Sequence, residues 1–502
     1  MSIQEQIVDA LSTEHLHADL KGRSVRGGLL TLSSQGAQFA MQSVATVVLA
    51  RLLTPADFGL VAMVTAVSGL GQAFADFGLS EATIQRQKIS HEQISTLFWI
   101  NVGIGVTLML VMMALAPVLA WFYREPRLRG ITFLVSLTFL VGGLRVQHNA
   151  LLKRQMRFLA LAIRDVGSYA LAVPLAIIMA WRGAGYWAIV ALPLALNSAG
   201  MVLSWAMVKW IPGLPRRGTK VRSLVAFGGN VAASYLLGTV NRSADSVLIG
   251  WHWGARPLGL YSRAYNLLML PVRQLNAPAG SVAVPAFSRL QDDPERFARY
   301  YLRMVNLMMW ITTPLFGFLF VAAQPVIILV LGHQWQQAAP VFRILVISAL
   351  GQLLFESTVW LFVSRGESAR LLRLLLVISP IVIGSFAVGL PFGIKGVAVT
   401  GSVALIGIFP FILKYAFRGT KLNLNRLGQA ILCPIAISLV GFCTAELALH
   451  LVAPHGIVPE LLTAALGFAT AYLLSIIFRP VRKEVMSLRG LASELRVSSP
   501  AP

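Results

Sequence analysis

The chain has 502 residues, of which 56% are hydrophobic and only 12% charged, with a formal net charge of +22. A soluble domain carries about 25% charged residues, so this composition excludes a soluble enzyme or a soluble nucleic-acid binder and points to a polytopic membrane protein. In such a chain a basic excess is an insertion signal and a contact for anionic lipid, and no nucleic-acid partner is expected.

Residues 1–27 are too polar for the bilayer core, yet Ile3, Ile7, Leu11, Leu16 and Leu20 recur near helical spacing. They predict an amphipathic helix on the cytoplasmic surface. No cleavable signal peptide is expected, because the first long apolar run starts only at Gly28.

Runs of about 20 apolar residues cross a ~30 Å hydrocarbon core. They predict fourteen spans, near 28–50, 58–78, 96–120, 130–150, 166–181, 186–207, 225–250, 259–285, 304–324, 340–363, 371–390, 396–414, 427–450 and 461–478. The expected organisation is a first lobe over 28–207, a basic cytoplasmic linker over 208–224, a second lobe over 225–414, two further helices over 427–478, and a cytoplasmic tail over 479–502. In that tail Val481, Val485, Leu488 and Leu495 form an apolar stripe beside Arg482, Lys483, Arg489 and Arg496, which predicts a second surface helix.

With both termini on one side, that side collects most of the 42 lysines and arginines, so both termini are expected to be cytoplasmic. Connections on the opposite side are short, the longest being Gln324–Ala339, and none is large enough to house an active site. Cys433 and Cys443 stand ten residues apart on one span, or about 15 Å along a helix, which excludes a mutual disulfide. The histidines show no metal-ligand spacing, so no metal is expected.

Shifted by 200 positions the chain partly matches itself. Val48-Leu49 aligns with Leu248-Ile249, and Phe58-Gly59-Leu60 with Leu258-Gly259-Leu260, each at a helical hairpin with a proline in the turn (Pro55, Pro257). A repeat of this kind, whose second copy starts near span seven where a six-plus-six architecture would put it, predicts two bundles around a central cleft with the site near the midplane.

The start of the second copy carries the charges. Spans seven and eight hold Arg242, Asp245, Arg263 and Arg273 among apolar neighbours. A charge at the bilayer centre costs about 2.5–3.5 kcal/mol on insertion scales, so these groups should face water or one another. Two readings follow: arginines lining a chamber that takes phosphate-like anions, or an Arg242–Asp245 staple one turn apart. Asp245 neutralises only one of three arginines, which favours the chamber. Arg263 is also placed to be an interfacial anchor, and Arg145, at the cytoplasmic end of span four, either admits an anionic headgroup or marks the positive-inside boundary. Glu356, inside span ten one turn after Gln352, is a coupling candidate or a packed, hydrogen-bonded glutamate; Asp245 and Asp76 are further coupling candidates, Asp76 also fitting a helix cap. Pro271 and Pro278 flank the arginine segment and are the hinge candidates.

Several motifs stand in a familiar order: Leu52-Leu53-Thr54-Pro55-Ala56-Asp57-Phe58-Gly59-Leu60, Asp76-Phe77-Gly78-Leu79-Ser80-Glu81-Ala82, Phe122-Tyr123-Arg124-Glu125-Pro126, and Leu151-Leu152-Lys153-Arg154-Gln155-Met156-Arg157-Phe158. Asp245 to Gly250, Leu258 to Tyr261, and Gly332-His333-Gln334-Trp335 with Ala339-Pro340 complete them. Over residues 25–480 the chain resembles the polysaccharide transporter branch of the multidrug, oligosaccharidyl-lipid and polysaccharide exporter superfamily, with the flavour of colanic-acid and succinoglycan exporters. The resemblance implies an all-α fold of two pseudo-symmetric six-helix lobes around a central cavity plus two C-terminal helices, and a flippase of the bacterial inner membrane that moves undecaprenyl-diphosphate-linked oligosaccharide by alternating access. Arg242, Arg263, Arg273 and Arg145 would then bind the diphosphate. It further implies membrane lipids and a polysaccharide polymerase and export machinery as partners, no cofactor, and coupling to a proton or sodium gradient. The competing readings are a small-molecule antiporter of the same superfamily and a membrane glycan polymerase or ligase. Arginine in spans seven and eight argues against the first, and the lack of a sizeable periplasmic loop against the second.

Overall fold

The computed structural model describes residues 20–72, 80, 83, 84, 89–215, 222–475, 477 and 482. The expected surface helices before Leu20 and in the 479–502 tail, Asp76, and residues 216–221 of the linker lie outside them, apart from residue 482 of the tail. Among the described residues the regular structure is entirely helical: α1 Leu20–Leu52, α2 Pro55–Gln72, α3 His91–Phe122, α4 Leu128–Arg154, α5 Phe158–Trp181, α6 Tyr186–Val208, α7 Arg222–Trp253, α8 Ala255–Arg289, α9 Pro294–Val321, α10 Ala323–Leu331, α11 Ala339–Ser364, α12 Ser368–Gly389, α13 Gly393–Ala416, α14 Leu424–Val452 and α15 Ile457–Ser475. Fourteen of these helices each cover most or all of one of the fourteen expected spans, and the nine-residue α10 only touches the end of the ninth.

Among the described residues nine stretches are long and apolar enough to cross a membrane, one of them, Ser368–Ala416, holding both α12 and α13. The long helices that fall short are α1, α2, α7 and α8. They are the first two of each expected six-helix repeat, so the polar helices themselves recur with the repeat. The chain is an all-α membrane protein of the expected class.

Helix ends depart from the hydropathy boundaries for local reasons. α5 starts at Phe158, well before the apolar run at 166, because Arg164 donates from Nε to Asp165 Oδ1 at 2.8 Å and the pair is carried within the helix. α9 starts at Pro294 because Asp293 caps it, accepting from the Arg296 N–H at 3.0 Å, with proline at the first helical position, where no N–H is needed. The connection Gln324–Ala339, read as a loop, folds as α10 and a 3₁₀ turn, His333–Ala338, around a fully buried Trp335.

The first hairpin shows how a motif sets a turn. In Thr54-Pro55-Ala56-Asp57, Asp57 Oδ2 accepts from Thr54 N at 2.9 Å and Thr54 Oγ1 at 2.7 Å, while Asp57 N donates to Thr54 Oγ1 at 3.3 Å. This reciprocal box caps α2. At the matching turn, Gly254 ends α7 with φ +81°, a left-handed conformation that glycine adopts without strain.

Contacts divide the chain into two compact units, Met1–Gly259 and Leu260–Pro502. The expected lobe border lay in the 208–224 linker; the division falls one helix later because α7 packs along α2. Within the first unit α3 packs on α4, α5 on α6, and α4 on α6; within the second, α9 packs on α11, α12 on α13, and α11 on α13. The same pairing thus recurs at the repeat spacing.

Apolar side chains gain little by leaving lipid for one another, so membrane helices associate where small residues allow close approach. On α3 and α4 the approach is mutual: a Cβ on Gly105 would lie 2.7 Å from Phe139 O, and one on Gly143 2.6 Å from Asn101 O. In the second unit the α14–α15 pair is held to α9 in the same way, Phe468 filling the space left by Gly317 and Gly441. Tyr472 Oη lies 2.5 Å from Ser438 Oγ and 3.5 Å from Thr313 Oγ1, and Thr444 donates to Gly467 O at 2.9 Å.

After α6 the chain turns back onto α3. Trp210 is buried and donates from Nε1 to His91 Nδ1 at 3.0 Å, Trp99 Nε1 donates to Gly213 O at 2.9 Å, and Gly213 N donates to Ser95 Oγ at 2.9 Å. The first residues after α6 are therefore fixed to the first unit.

Candidate functional site

α4 buries one face against α3 through Gly143, and a different face carries Thr138, Gly142, Arg145, Asn149 and Lys153, spaced four, three, four and four residues apart as one helical stripe. This stripe lines a cleft of about 250 Å³ in the first unit, completed by Gln72 of α2, Ser80 and Asn197 of α6.

The electrostatics of the cleft are one-sided. Arg145 and Lys153 reach it, and no carboxylate lines it among the described residues. The nearby arginine of α5, Arg164, is neutralised by Asp165 and also donates from NH1 to Asn149 Oδ1. Ser204 donates to the same oxygen at 3.3 Å, so the carbonyl end of Asn149 is occupied and its amide hydrogens are left for the cleft. Asn197 spends one amide hydrogen on Pro193 O at 2.8 Å. Arg145 and Lys153 have no ion-pair or hydrogen-bond partner among the described residues. Their guanidinium and ammonium groups with the Asn149 amide form a set of donors suited to a polyanionic oxygen cluster such as a diphosphate.

The Arg145 head sits where α6 has no side chain. A Cβ on Gly200 would lie 2.8 Å from Arg145 NH1 and 3.3 Å from Ser168 Oγ. Gly200 is thus a space-making residue for the cleft.

Arg242 is exposed on α7, in the same unit, and donates to Thr239 Oγ1 at 3.3 Å. It forms no ion pair among the described residues, and Asp245, buried, accepts from Ser246 N at 2.5 Å, so the Arg242–Asp245 staple is not formed. The physical reason is local: Arg242 reaches back along the helix to a hydroxyl one turn earlier. Arg263 and Arg273 belong to the second unit, on α8, where Arg263 is half-buried and Arg273 exposed. Glu356 is half-buried on α11 of that unit. Pro271 and Pro278, with Pro285, interrupt α8 at seven-residue intervals.

Of the expected site residues the cleft contains Arg145. Sequence reasoning missed Lys153, which it counted only as a cytoplasmic charge, and the amides of Gln72, Asn149 and Asn197. The three-to-four-residue recurrence of polar groups from Thr138 to Lys153 was the signal available.

The family profile described as "Polysaccharide biosynthesis protein" matches residues 48–340. The chain is 26% identical to the teichuronic acid biosynthesis protein TuaB of Bacillus subtilis (strain 168) over 299 residues, 59% of this chain and 62% of that protein. It is 26% identical to the lipopolysaccharide biosynthesis protein WzxC of Escherichia coli (strain K12) over 314 residues, 60% and 62%. It is likewise 26% identical to the succinoglycan biosynthesis transport protein ExoT of Rhizobium meliloti (strain 1021) over 325 residues, 64% and 65%. The match thus spans about three-fifths of the length of these relatives. In fold the chain is similar to the lipid II flippase MurJ in an inward closed conformation, with TM-score 0.70 and 12% identity over 90% of this chain and 99% of that one. It is also similar to an inward-facing multidrug resistance MATE family transporter, with TM-score 0.59 and 15% identity over 76% and 95%.

Proposed function

The chain belongs to the family of polysaccharide biosynthesis proteins, and from that premise we propose that it is a transporter, with no covalent step, that moves undecaprenyl-diphosphate-linked oligosaccharide across the bacterial inner membrane. The observation that carries this reading is the cleft lined by Arg145 and Lys153, with no carboxylate lining it among the described residues. Cations at the end of a span, beside a cleft without a carboxylate among the described residues, are available to a substrate anion. In the proposed cycle the diphosphate replaces water around these cations, the polyprenyl chain stays in lipid, and release follows when the site opens to the other side. Arg242, Arg263 and Arg273 are proposed to contribute to the same passage, Pro271 and Pro278 to the bending of α8, and Glu356 to coupling with a proton or sodium gradient. Both termini are proposed to be cytoplasmic, and a polysaccharide polymerase and export machinery to receive the product.

The names of the relatives support the substrate class: TuaB, WzxC and ExoT are each named for the synthesis of a surface or secreted glycan, and MurJ is a flippase of a lipid. The test is flipping of a fluorescent undecaprenyl-diphosphate oligosaccharide in proteoliposomes. Wild type should transport, and Arg145→Gln with Lys153→Gln should lose at least about tenfold in rate at equal reconstitution. That corresponds to the ~1.5–3 kcal/mol of a charge-assisted hydrogen bond. Full transport by the double variant, and by Arg242→Ala with Arg273→Ala, would overturn the reading.

A further inference from the structure

The first unit has a second hollow that the transport reading does not use. It encloses about 470 Å³ between α1, the first turns of α5 and the end of α6, and its lining includes Leu30, Phe158, Leu159, Ile163 and Met207, with Arg157 among them. Leu159 and Ile163 are 58% and 51% exposed. Both stand on a helix long and apolar enough to span a membrane, so the hollow opens on a surface whose solvent is acyl chain. No carboxylate lines it among the described residues.

Arg157 stands in the turn between α4 and α5, where the apolar stretch of α5 begins. One of its nitrogens, NH1, donates to Met207 O at 3.0 Å, which fixes the guanidinium at the end of the hollow. Its remaining N–H groups have no protein partner among the described residues. A trough with apolar walls and one fixed, uncompensated cation at its polar end is complementary to an amphiphile with an anionic head. A zwitterionic head would bring an ammonium group toward the same cation. Basic pockets between membrane helices bind anionic headgroups for this reason.

We propose that this groove is a seat for an anionic glycerophospholipid, its phosphate on Arg157 and one acyl chain along Leu30, Leu159 and Ile163. The seat is independent of what the Arg145 cleft carries.

The experiment is native mass spectrometry of the full-length protein released from detergent after exchange with phosphatidylglycerol, phosphatidylethanolamine or undecaprenyl phosphate. Wild type should retain phosphatidylglycerol in preference to the other two. Arg157→Gln should lower that retention about fivefold, the equivalent of ~1 kcal/mol for one basic side chain at an anionic surface, and Arg157→Lys should keep most of it. Because Arg157→Gln also removes a bond to α6, Ile163→Trp is measured in parallel: it fills the groove, leaves Arg157 and its bond in place, and should lower retention as well. Equal retention of phosphatidylglycerol and phosphatidylethanolamine by wild type, or unchanged retention by Ile163→Trp, would overturn the proposal. So would preferential retention of undecaprenyl phosphate, which would assign the groove to the carrier lipid.

Discussion

Gly59 and Gly259, two hundred positions apart, are each pressed against the other's helix. A Cβ on Gly59 would lie 1.7 Å from Ala255 O, and one on Gly259 1.8 Å from Pro55 O. Pro55 and Ala255 are the first residues of α2 and α8, so the contact is reciprocal and related by the same shift as the sequence repeat. Alanine in place of a helical glycine would otherwise favour the helix by up to ~1 kcal/mol. Here the atom in the way is backbone, which cannot rotate aside, so overpacking wins.

Gly59→Ala and Gly259→Ala should therefore each destabilise the protein by about 1–3 kcal/mol, read as a lower midpoint of thermal unfolding in detergent. The double variant should lose less than the sum, because one displacement relieves both contacts. An unchanged midpoint in either single variant would contradict the crossing.

Gly200 makes a second prediction, now about the cleft. Valine at this position occupies the volume of the Arg145 guanidinium. Transport by Gly200→Val should fall as far as in Arg145→Gln, and combining the two should add nothing, since both remove the same cation from the same place. Additive losses in the proteoliposome assay would show that Gly200 acts elsewhere.

Glu356→Gln removes a charge while keeping the shape of a half-buried side chain on α11. If the carboxylate couples transport to a gradient, the variant should still bind the lipid-linked glycan but lose the response of its transport rate to an imposed pH or sodium gradient. A wild-type response would take Glu356 out of the coupling step.

The turn before α4 makes a prediction about pH. Glu125 accepts from Arg127 Nε at 2.8 Å and NH2 at 2.9 Å, and this bidentate pairing holds its carboxyl below the usual carboxylate range. A carboxylate with a lowered value contributes stability above its unfolded value, about 4.3, and loses that contribution as pH falls through the folded value. The pair is partly exposed, so the effect should stay below about 1 kcal/mol. Glu125→Gln should lower the unfolding midpoint slightly at pH 7, and the deficit should shrink as the pH falls below the usual carboxylate range; a deficit that does not change with pH would exclude the carboxylate as the cause.

Much of the architecture was legible because lipid imposes one rule on the chain: backbone groups must be satisfied within a helix, so apolar length reports each span. The boundaries were less legible. Arg164 and Asp165 interrupt the hydropathy of span five without interrupting α5, since each offsets the other. The apolar run of α10 was absorbed into a loop because it is too short to span. The repeat was visible in Gly59 and Gly259, although their mutual contact was not, because a shift in sequence carries no distance. Of the residues lining the cleft, Arg145 was among the sequence candidates, whereas Lys153, Asn149 and Asn197 were not. Hydropathy scores a polar residue by type, whereas a lining residue is defined by which face of the helix it shares.

The hydroxyl and glycine seam between α9 and the α14–α15 pair joins stretches of chain that are far apart in sequence. Thr313, Gly317 and Asn306 of α9 receive their partners from Pro434, Phe468 and Ala430, residues that the ribosome adds more than a hundred positions later. During synthesis α9 therefore cannot reach its described packing until α14 and α15 have been made, and this seam of the second unit closes late.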